Sequence, residues 1–166
     1  MMTEIPNPDS AMHFRLASDA DRPCLISLIN AAFAMEDFFD GTRTDQERLS
    51  AMMRKGAILA AEDGAGQFLG CVYLELRGAR GYLGQLAVDP ARQRGGLGMK
   101  IMAAGEEYLR GQGCRGVDIT VLSLRPELLP IYRRRGYIET GVEEFRPSRK
   151  LKPGVVCHAI VLSKEL

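Results

Sequence analysis

The residues best suited to chemistry sit in one short run, Gln93-Arg94-Gly95-Gly96-Leu97-Gly98, with Arg92 just before it. A run of glycines has no Cβ atoms to keep a ligand away from the backbone. When such a run opens a helix, the first N–H groups lack intrahelical acceptors and the positive end of the helix dipole faces outward. The result is an anion site suited to phosphate. Arg92 and Arg94 add positive charge beside it. A glycine-rich surface turn without a ligand is the alternative at this point.

The neighbouring elements have to position that turn. Tyr82 to Val88 is rich in apolar and aromatic residues and ends at Asp89-Pro90, which predicts a strand. Leu97, Ile101, Ala104 and Tyr108 recur at helical spacing, and Gly111 and Gly113 close the pattern. The turn therefore lies between a strand and a helix. A nucleotide P-loop would end in Gly-Lys-Ser/Thr, but here the turn ends Gly98-Met99-Lys100-Ile101, with no hydroxyl placed for Mg²⁺. A dinucleotide fingerprint needs G-x-G-x-x-G. Asp118 stands near the right distance for its acid, but the glycine spacing does not fit.

The rest of the 166-residue chain reads as one domain with enough length for a sizeable core. Apolar residues make up 46% and charged residues 26%, and the net charge is +1. That balance gives no electrostatic case for nucleic acid or an anionic membrane as the main partner. No run is long and apolar enough to span a bilayer, and no signal-peptide pattern opens the chain, so the expected location is cytoplasmic. Cys24, Cys71, Cys114 and Cys157 are far apart without a C-x-x-C pair, which fits reduced thiols and supports neither disulfides nor a metal site.

Residues 1–12 read as a ragged leader and residues 13–166 as the domain. A strand is expected at 13–17, then a helix with Leu25, Leu28, Ile29, Ala32 and Phe33 on its apolar face, capped by Ser18 or Asp19 with Pro23 in its first turn. Thr44 and Glu47 suggest a capping box for a second helix ending at Gly56. Strands follow at 57–62, 67–77 and 82–88, joined by glycine-bearing turns. After the central helix come a strand at 116–122, a short helix at 127–135, a strand at 137–141, a polar loop at 142–154 and a last strand at 155–163. The strand–helix–strand unit around the glycine turn predicts two parallel strands, whereas the hairpins before it are antiparallel. The fold class is α/β (α+β): a mixed central sheet of about six to seven strands with helices on both faces.

The pattern Q/R-x-x-G-x-G/A at Gln93 to Gly98, after a strand ending Val88-Asp89-Pro90, resembles the acetyl-CoA-binding motif of the GNAT superfamily of acyl-CoA N-acyltransferases. The element order is similar to that of the GNAT fold over roughly residues 13–163. A second stretch, Leu128-Leu129-Pro130-Ile131-Tyr132-Arg133-Arg134-Arg135-Gly136-Tyr137, resembles the family segment that follows the next strand, with Ile131 where the family has leucine.

The resemblance implies acetyl-CoA as cosubstrate, no metal, and acetyl transfer to a primary amine by direct attack in a ternary complex. It implies that Gln93, Arg94, Gly95, Gly96, Leu97, Gly98 and Met99 hold the pyrophosphate. Leu86 and Ala87 would line the pantetheine arm, and the backbone N–H near Val88 would meet the acetyl oxygen. Tyr132 would stand near the sulfur, where a phenol of pKa about 10 is protonated at neutral pH and can donate to the departing thiolate. Arg125 stands where many relatives have an asparagine against the CoA arm; contact with a phosphate or a substrate acid and a solvated side chain all remain open for it. Arg133, Arg134 and Arg135 read as a solvated face.

The general base is harder to name. A lysine-like amine has a pKa of about 10.4, so about one molecule in 2,500 is neutral at pH 7. Where relatives often place a glutamate, this chain has Gln85 and Thr120, and neither can accept the proton. Glu75, Asp118, Glu139 and His158 are candidates by type only. A substrate amine of low pKa would ease the need for a base. The acceptor site is expected between two acidic and aromatic segments, Glu36 to Asp40 and Glu143 to Arg146, which would suit a cationic small-molecule or peptide amine. A homodimer paired through the last strand stays open. Rival readings are a non-catalytic acyl-CoA-binding regulatory domain and a nucleotide-phosphate enzyme.

Overall fold

The computed structural model describes residues 12–93, 95–145 and 150–166. Its spine is an antiparallel meander of β2 (Ala57–Glu62), β3 (Phe68–Arg77) and β4 (Arg80–Val88). The turns between these strands form for local reasons. The Asp63 carboxylate accepts from the Ala65 and Gln67 amides, both at 2.9 Å, and Gly66 takes the left-handed φ of 80° that closes the hairpin. Seven consecutive residues of β3, Leu69 to Glu75, are buried, as expected for a strand covered on both faces.

The remaining elements run in the order expected: β1 (His13–Leu16), α1 (Arg22–Phe33) and α2 (Gln46–Lys55) before the meander. After it come α3 (Leu97–Gly111), β5 (Gly116–Leu122), α4 (Leu129–Arg134), β6 (Ile138–Glu144) and β7 (His158–Glu165). The sheet has seven strands in the order β1-β2-β3-β4-β5-β7-β6, mixed because β4 and β5 are parallel. Two apolar clusters cover its faces. Leu83, Ile101, Leu109, Val117 and Leu162 form the α3 side, and Leu25, Ile29, Leu49, Ile58 and Ala87 the α1/α2 side.

Several local expectations give way to the structure. The N-cap of α2 is Asp45, whose carboxylate accepts from the Arg48 amide at 2.9 Å, not Thr44. Thr44 is instead buried and exchanges backbone bonds with the Asn30 side chain, which ties the loop before α2 to α1. Ser18 caps a single 3₁₀ turn, Asp19–Asp21, and α1 begins only at Arg22. β6 runs on to Glu144 and β7 starts at His158. β7 also lies inside the sheet, between β5 and β6. Both its edges are paired, so it has no free edge for a dimer; β1 and β6 are the edge strands. Residues 1–11 of the leader lie outside the described residues, and Met12 packs against the sheet.

Candidate active site

The parallel pair β4/β5 is short. Only Arg80↔Gly116, Gly81↔Val117 and Tyr82↔Asp118 are in register; beyond them the two strands part. The divergence coincides with an irregularity in β4. Its pairing with β3 steps from Tyr73↔Gly84 to Cys71↔Ala87, three residues against two, and Gln85 there takes a φ of 49°. This is a bulge, with the one positive φ at a non-glycine residue among those described. It reverses the facing of the strand. Leu83 packs toward α3, and after the bulge it is Leu86 and Val88 that do so, while Ala87 is fully buried on the α1/α2 side.

The gap between the strands opens into a cleft of about 440 Å³, in the size range of small-molecule sites. Leu86 and Val88 line one wall, Ile119 to Leu122 the other, and Gln93 and Gly98 one end. The expectation that Ala87 lines the slot is corrected: its methyl group points to the opposite face. The backbone of β4 does face the gap. The Asp89 amide donates to the Leu69 carbonyl on β3 at 2.9 Å, so strand alternation turns the Val88 N–H and C=O the other way. The Gln93 side-chain amide accordingly reaches the Val88 carbonyl, at 3.3 Å.

The glycine turn opens a 15-residue helix, α3, as expected. Gly96 is its N-cap with φ 72°, a left-handed conformation that a glycine takes without strain, and no side chain caps the first turn. The leading N–H groups are thus left for a ligand. A Cβ on Gly98 would stand 3.7 Å from both Leu86 and Val88, and no atom lies within 4 Å of one on Gly95. The missing side chain at Gly98 leaves the end of the cleft open. Leu97 is buried in the α3-side core and Met99 packs against it, so these two can offer only backbone. Arg94 lies outside the described residues.

Tyr132, on α4, enters the same cleft from the α3 side. Its ring stands edge-on to Tyr137, centroids 6.0 Å apart. Its hydroxyl has no hydrogen-bond partner among the described residues. Burial raises its pKa above the usual phenol value, opposed by the nearby Arg125 guanidinium, so it is held protonated at neutral pH. Arg125 lines the cleft too, but its charge is engaged: it donates to Glu36 at 2.8 Å and to Glu127 at 2.5 Å.

The sequence profile described as "Acetyltransferase (GNAT) family" matches residues 25–137, which include the bulge, the glycine turn and Tyr132. The chain belongs to the GNAT acetyltransferase family. It is 33% identical over 86 residues to a mycothiol acetyltransferase of Clavibacter michiganensis subsp. michiganensis, a match covering 52% of this chain and 28% of that protein. It is 31% identical over 105 residues to glucosamine 6-phosphate N-acetyltransferase 1 of Oryza sativa subsp. japonica, covering 58% and 62%. In both cases the match spans less than two thirds of the relative.

Among solved structures, the ribosomal-protein-S18-alanine N-acetyltransferase from Escherichia coli superposes with a TM-score of 0.73 at 15% identity, over 93% of each chain. A GNAT family acetyltransferase from Elizabethkingia anophelis with acetyl-CoA bound gives 0.74 at 16% identity, over 94% of this chain and 99% of that one. At such identities the likeness establishes the shared GNAT fold.

In this GNAT chain the α1/α2 face of the split holds a second cleft, of about 470 Å³, which shares Arg43, Gly84 and Gln85 with the first. Tyr73, Glu75, Arg77 and Tyr82 line it. Of the candidate bases only Glu75 is there. It accepts from the Tyr73 hydroxyl at 2.8 Å and from Arg77 at 2.9 Å. Burial pushes its carboxyl up, but Arg77, Tyr73 and Lys55 together outweigh that and hold it below the usual carboxylate range. It is therefore ionised at neutral pH and a weak proton acceptor.

None of the other candidates lines either cleft. Asp118 accepts from Arg80 and Ser163, Glu139 pairs with Arg133, and the His158 amide bonds Ser123 at the start of β7. The acidic loops are also differently placed. Phe39 pairs with Leu151, and Asp40 and Phe38 bond the backbone of Lys150 and Lys152, so the first segment pairs with residues 150–152, and the Phe145 ring of the second stands 5.7 Å from that of Phe39. Of the first segment only Glu36 lines either cleft, and it is buried between Arg43 and Arg125. Arg146 lies outside the described residues. Among the described residues, no group of His, Cys, Asp and Glu is placed to hold a metal ion, and no helix is long and apolar enough to cross a membrane.

The residues that sequence reasoning missed are Arg43, Tyr73 and Arg77. A signal was present for two of them: Tyr73, Glu75 and Arg77 alternate along one strand and so share a face.

Proposed function

We propose that this chain transfers an acetyl group from acetyl-CoA to a primary amine by direct attack within a ternary complex. The observation that carries the reading is the split of β4 from β5 after Tyr82↔Asp118, with a cleft that has the glycine turn at one end and the unpartnered Tyr132 hydroxyl in its wall. The residues present fit the cosubstrate. The opening of α3 and its glycines suit the pyrophosphate, and the backbone of β4 at Val88 suits an amide-bearing arm.

Acetyl-CoA supplies an acyl carbon activated as a thioester. The amine nitrogen forms a C–N bond to that carbon while the C–S bond breaks. The Val88 N–H, turned away from β3, would donate to the acyl oxygen as negative charge develops on it. The Tyr132 hydroxyl donates its proton to the departing sulfur. Solvent takes the proton of the attacking amine, because the carboxylates of the two clefts are already engaged, Glu36 by Arg43 and Arg125 and Glu75 by Tyr73 and Arg77. A covalent relay through cysteine finds no support: burial pushes the Cys71 thiol up to about 12, and none of the four cysteines lines either cleft. All four are unpaired, three of them buried, which suits a reducing compartment and supports a cytoplasmic location.

Isothermal titration with acetyl-CoA, and with ATP and NAD in parallel, tests the reading. Binding of acetyl-CoA, followed by thiol release when amines are added, is the expected result. Binding of ATP or NAD alone would overturn it.

A further inference from the structure

The second cleft is too cationic for a plain cationic amine. Arg43, Lys55 and Arg77 face it, with Glu75 as its only carboxylate. Arg77 uses its Nε on Glu75 and lays its guanidinium 4.2 Å above the Tyr82 ring, so its two terminal amino groups have no partner among the described residues. Lys55 reaches Glu75 only at 3.8 Å and is otherwise open to solvent. Arg43, which lines both clefts, stacks on Phe33 at 4.4 Å and gives one amino group to Glu36 at 3.2 Å, and its second has no partner among the described residues. Glu36 itself is shared with Arg125.

A second observation points to a ligand at the seam. Gln85 sits at the bulge, lines both clefts, and carries a side-chain oxygen that is buried without a hydrogen-bond partner among the described residues. A buried polar atom left unpaired costs free energy unless something completes it. Among the described residues its amide nitrogen meets only the Met52 sulfur, a weak acceptor, at 3.3 Å. The Gln85 oxygen can take an N–H bond from an amine entering the split from the α1/α2 face.

We infer that the acceptor is an amine that also bears an anionic group, a carboxylate or a phosphate, with the anion among Arg43, Lys55 and Arg77 and the amine at Gln85. The inference rests on the transferase reading above. Guanidinium pairs are well matched to both anions because they bind two oxygens at once. The same charges repel a polyamine or a lysine side chain, which replaces the expectation of a cationic acceptor drawn from the acidic loops.

The test is thiol release from acetyl-CoA with matched pairs of acceptors. α-Amino acids are compared with their amides, and phosphorylated amino sugars with the free sugars; the two arms separate carboxylate from phosphate. The anionic member of at least one pair should have the higher kcat/KM, by about 10- to 100-fold. Arg77→Gln and Arg43→Gln should remove that preference through KM, with acetyl-CoA affinity retained. Equal or better turnover of the uncharged members overturns the inference and leaves the transferase reading standing. If no acceptor in the panel turns over, inorganic phosphate is titrated into the acetyl-CoA complex. Binding that is lost in the Arg43→Gln, Arg77→Gln double variant supports the inference, and no binding overturns it. Failure of acetyl-CoA itself to bind overturns the transferase reading instead.

Discussion

Arg80 and Asp118 clamp the closed end of the β4/β5 split. Their bidentate contact, at 2.9 and 3.1 Å, joins the two strands beside their last three paired residues, and Ser163 of β7 adds a third bond to Asp118 at 2.6 Å. Three residues further along, β4 bulges and the strands no longer meet. A sheet can open at one end and stay whole only if the other end is held. Here a charged pair does so at the point where backbone bonding stops.

Asp118→Asn is therefore expected to lower stability by about 1 kcal/mol at neutral pH, a modest figure because both partners are partly exposed. The effect should vary with pH. The Arg80 contact, against some opposing desolvation, holds the Asp118 carboxyl below its unfolded value, which is about 3.9. A group depressed on folding stabilises above its unfolded pKa and loses that contribution as pH falls through the folded one. Urea denaturation at pH 7 and pH 3 should show the gap between wild type and variant narrowing at the lower pH.

Tyr132→Phe should lower kcat by about 100-fold or more while acetyl-CoA affinity, read by titration calorimetry, stays within a few-fold. The Tyr132 phenol is raised above its usual value, by burial before any other cause. Its protonated form therefore persists through mildly alkaline pH, and wild-type kcat should show no falling limb below about pH 10. A fall in kcat near neutrality that disappears in Tyr132→Phe would contradict this.

Gly98 separates a fold effect from a binding effect. A methyl group there meets Leu86 and Val88 at an ordinary 3.7 Å, so Gly98→Ala should fold with unchanged or slightly raised melting temperature. Gly98→Leu extends into the cleft and should weaken acetyl-CoA binding by about tenfold or more, on the scale of a displaced ligand group. Thermal melts and calorimetry on both variants check the pair.

Glu106 on α3 is buried and accepts from Arg135 at 2.8 Å and Lys164 at 2.6 Å, so one carboxylate ties α3 to the turn after α4 and to β7. Glu106→Ala leaves two cations facing each other and should cost about 2–3 kcal/mol, read from chemical denaturation. Because α4 carries Tyr132, part of that loss should appear as a lower kcat at temperatures well below the melt.

Much of this protein was legible along the chain. The hairpins, the strand–helix–strand unit and the opening of α3 at Gly96 depend on local geometry: where glycine permits a left-handed φ, and where apolar residues repeat at 3.6 or 2. The glycine turn was found in the same way and Tyr132 through its resemblance to a family segment, and the fold brings both to one cleft. What the sequence could not decide was which distant groups meet. The insertion of β7 between β5 and β6 is a pairing choice between remote segments. The Gln85 bulge, which turns Ala87 away from the cleft, shows only as a shift in register against β3. The charge of the second cleft arises because Arg43, Lys55 and Arg77, from a loop, a helix and a strand, line one cleft that holds a single carboxylate, Glu75, while Glu36 pairs with Arg43 and Arg125. Charge along a chain is a sum, but the field in a cleft depends on distance and pairing, and only the tertiary structure sets those.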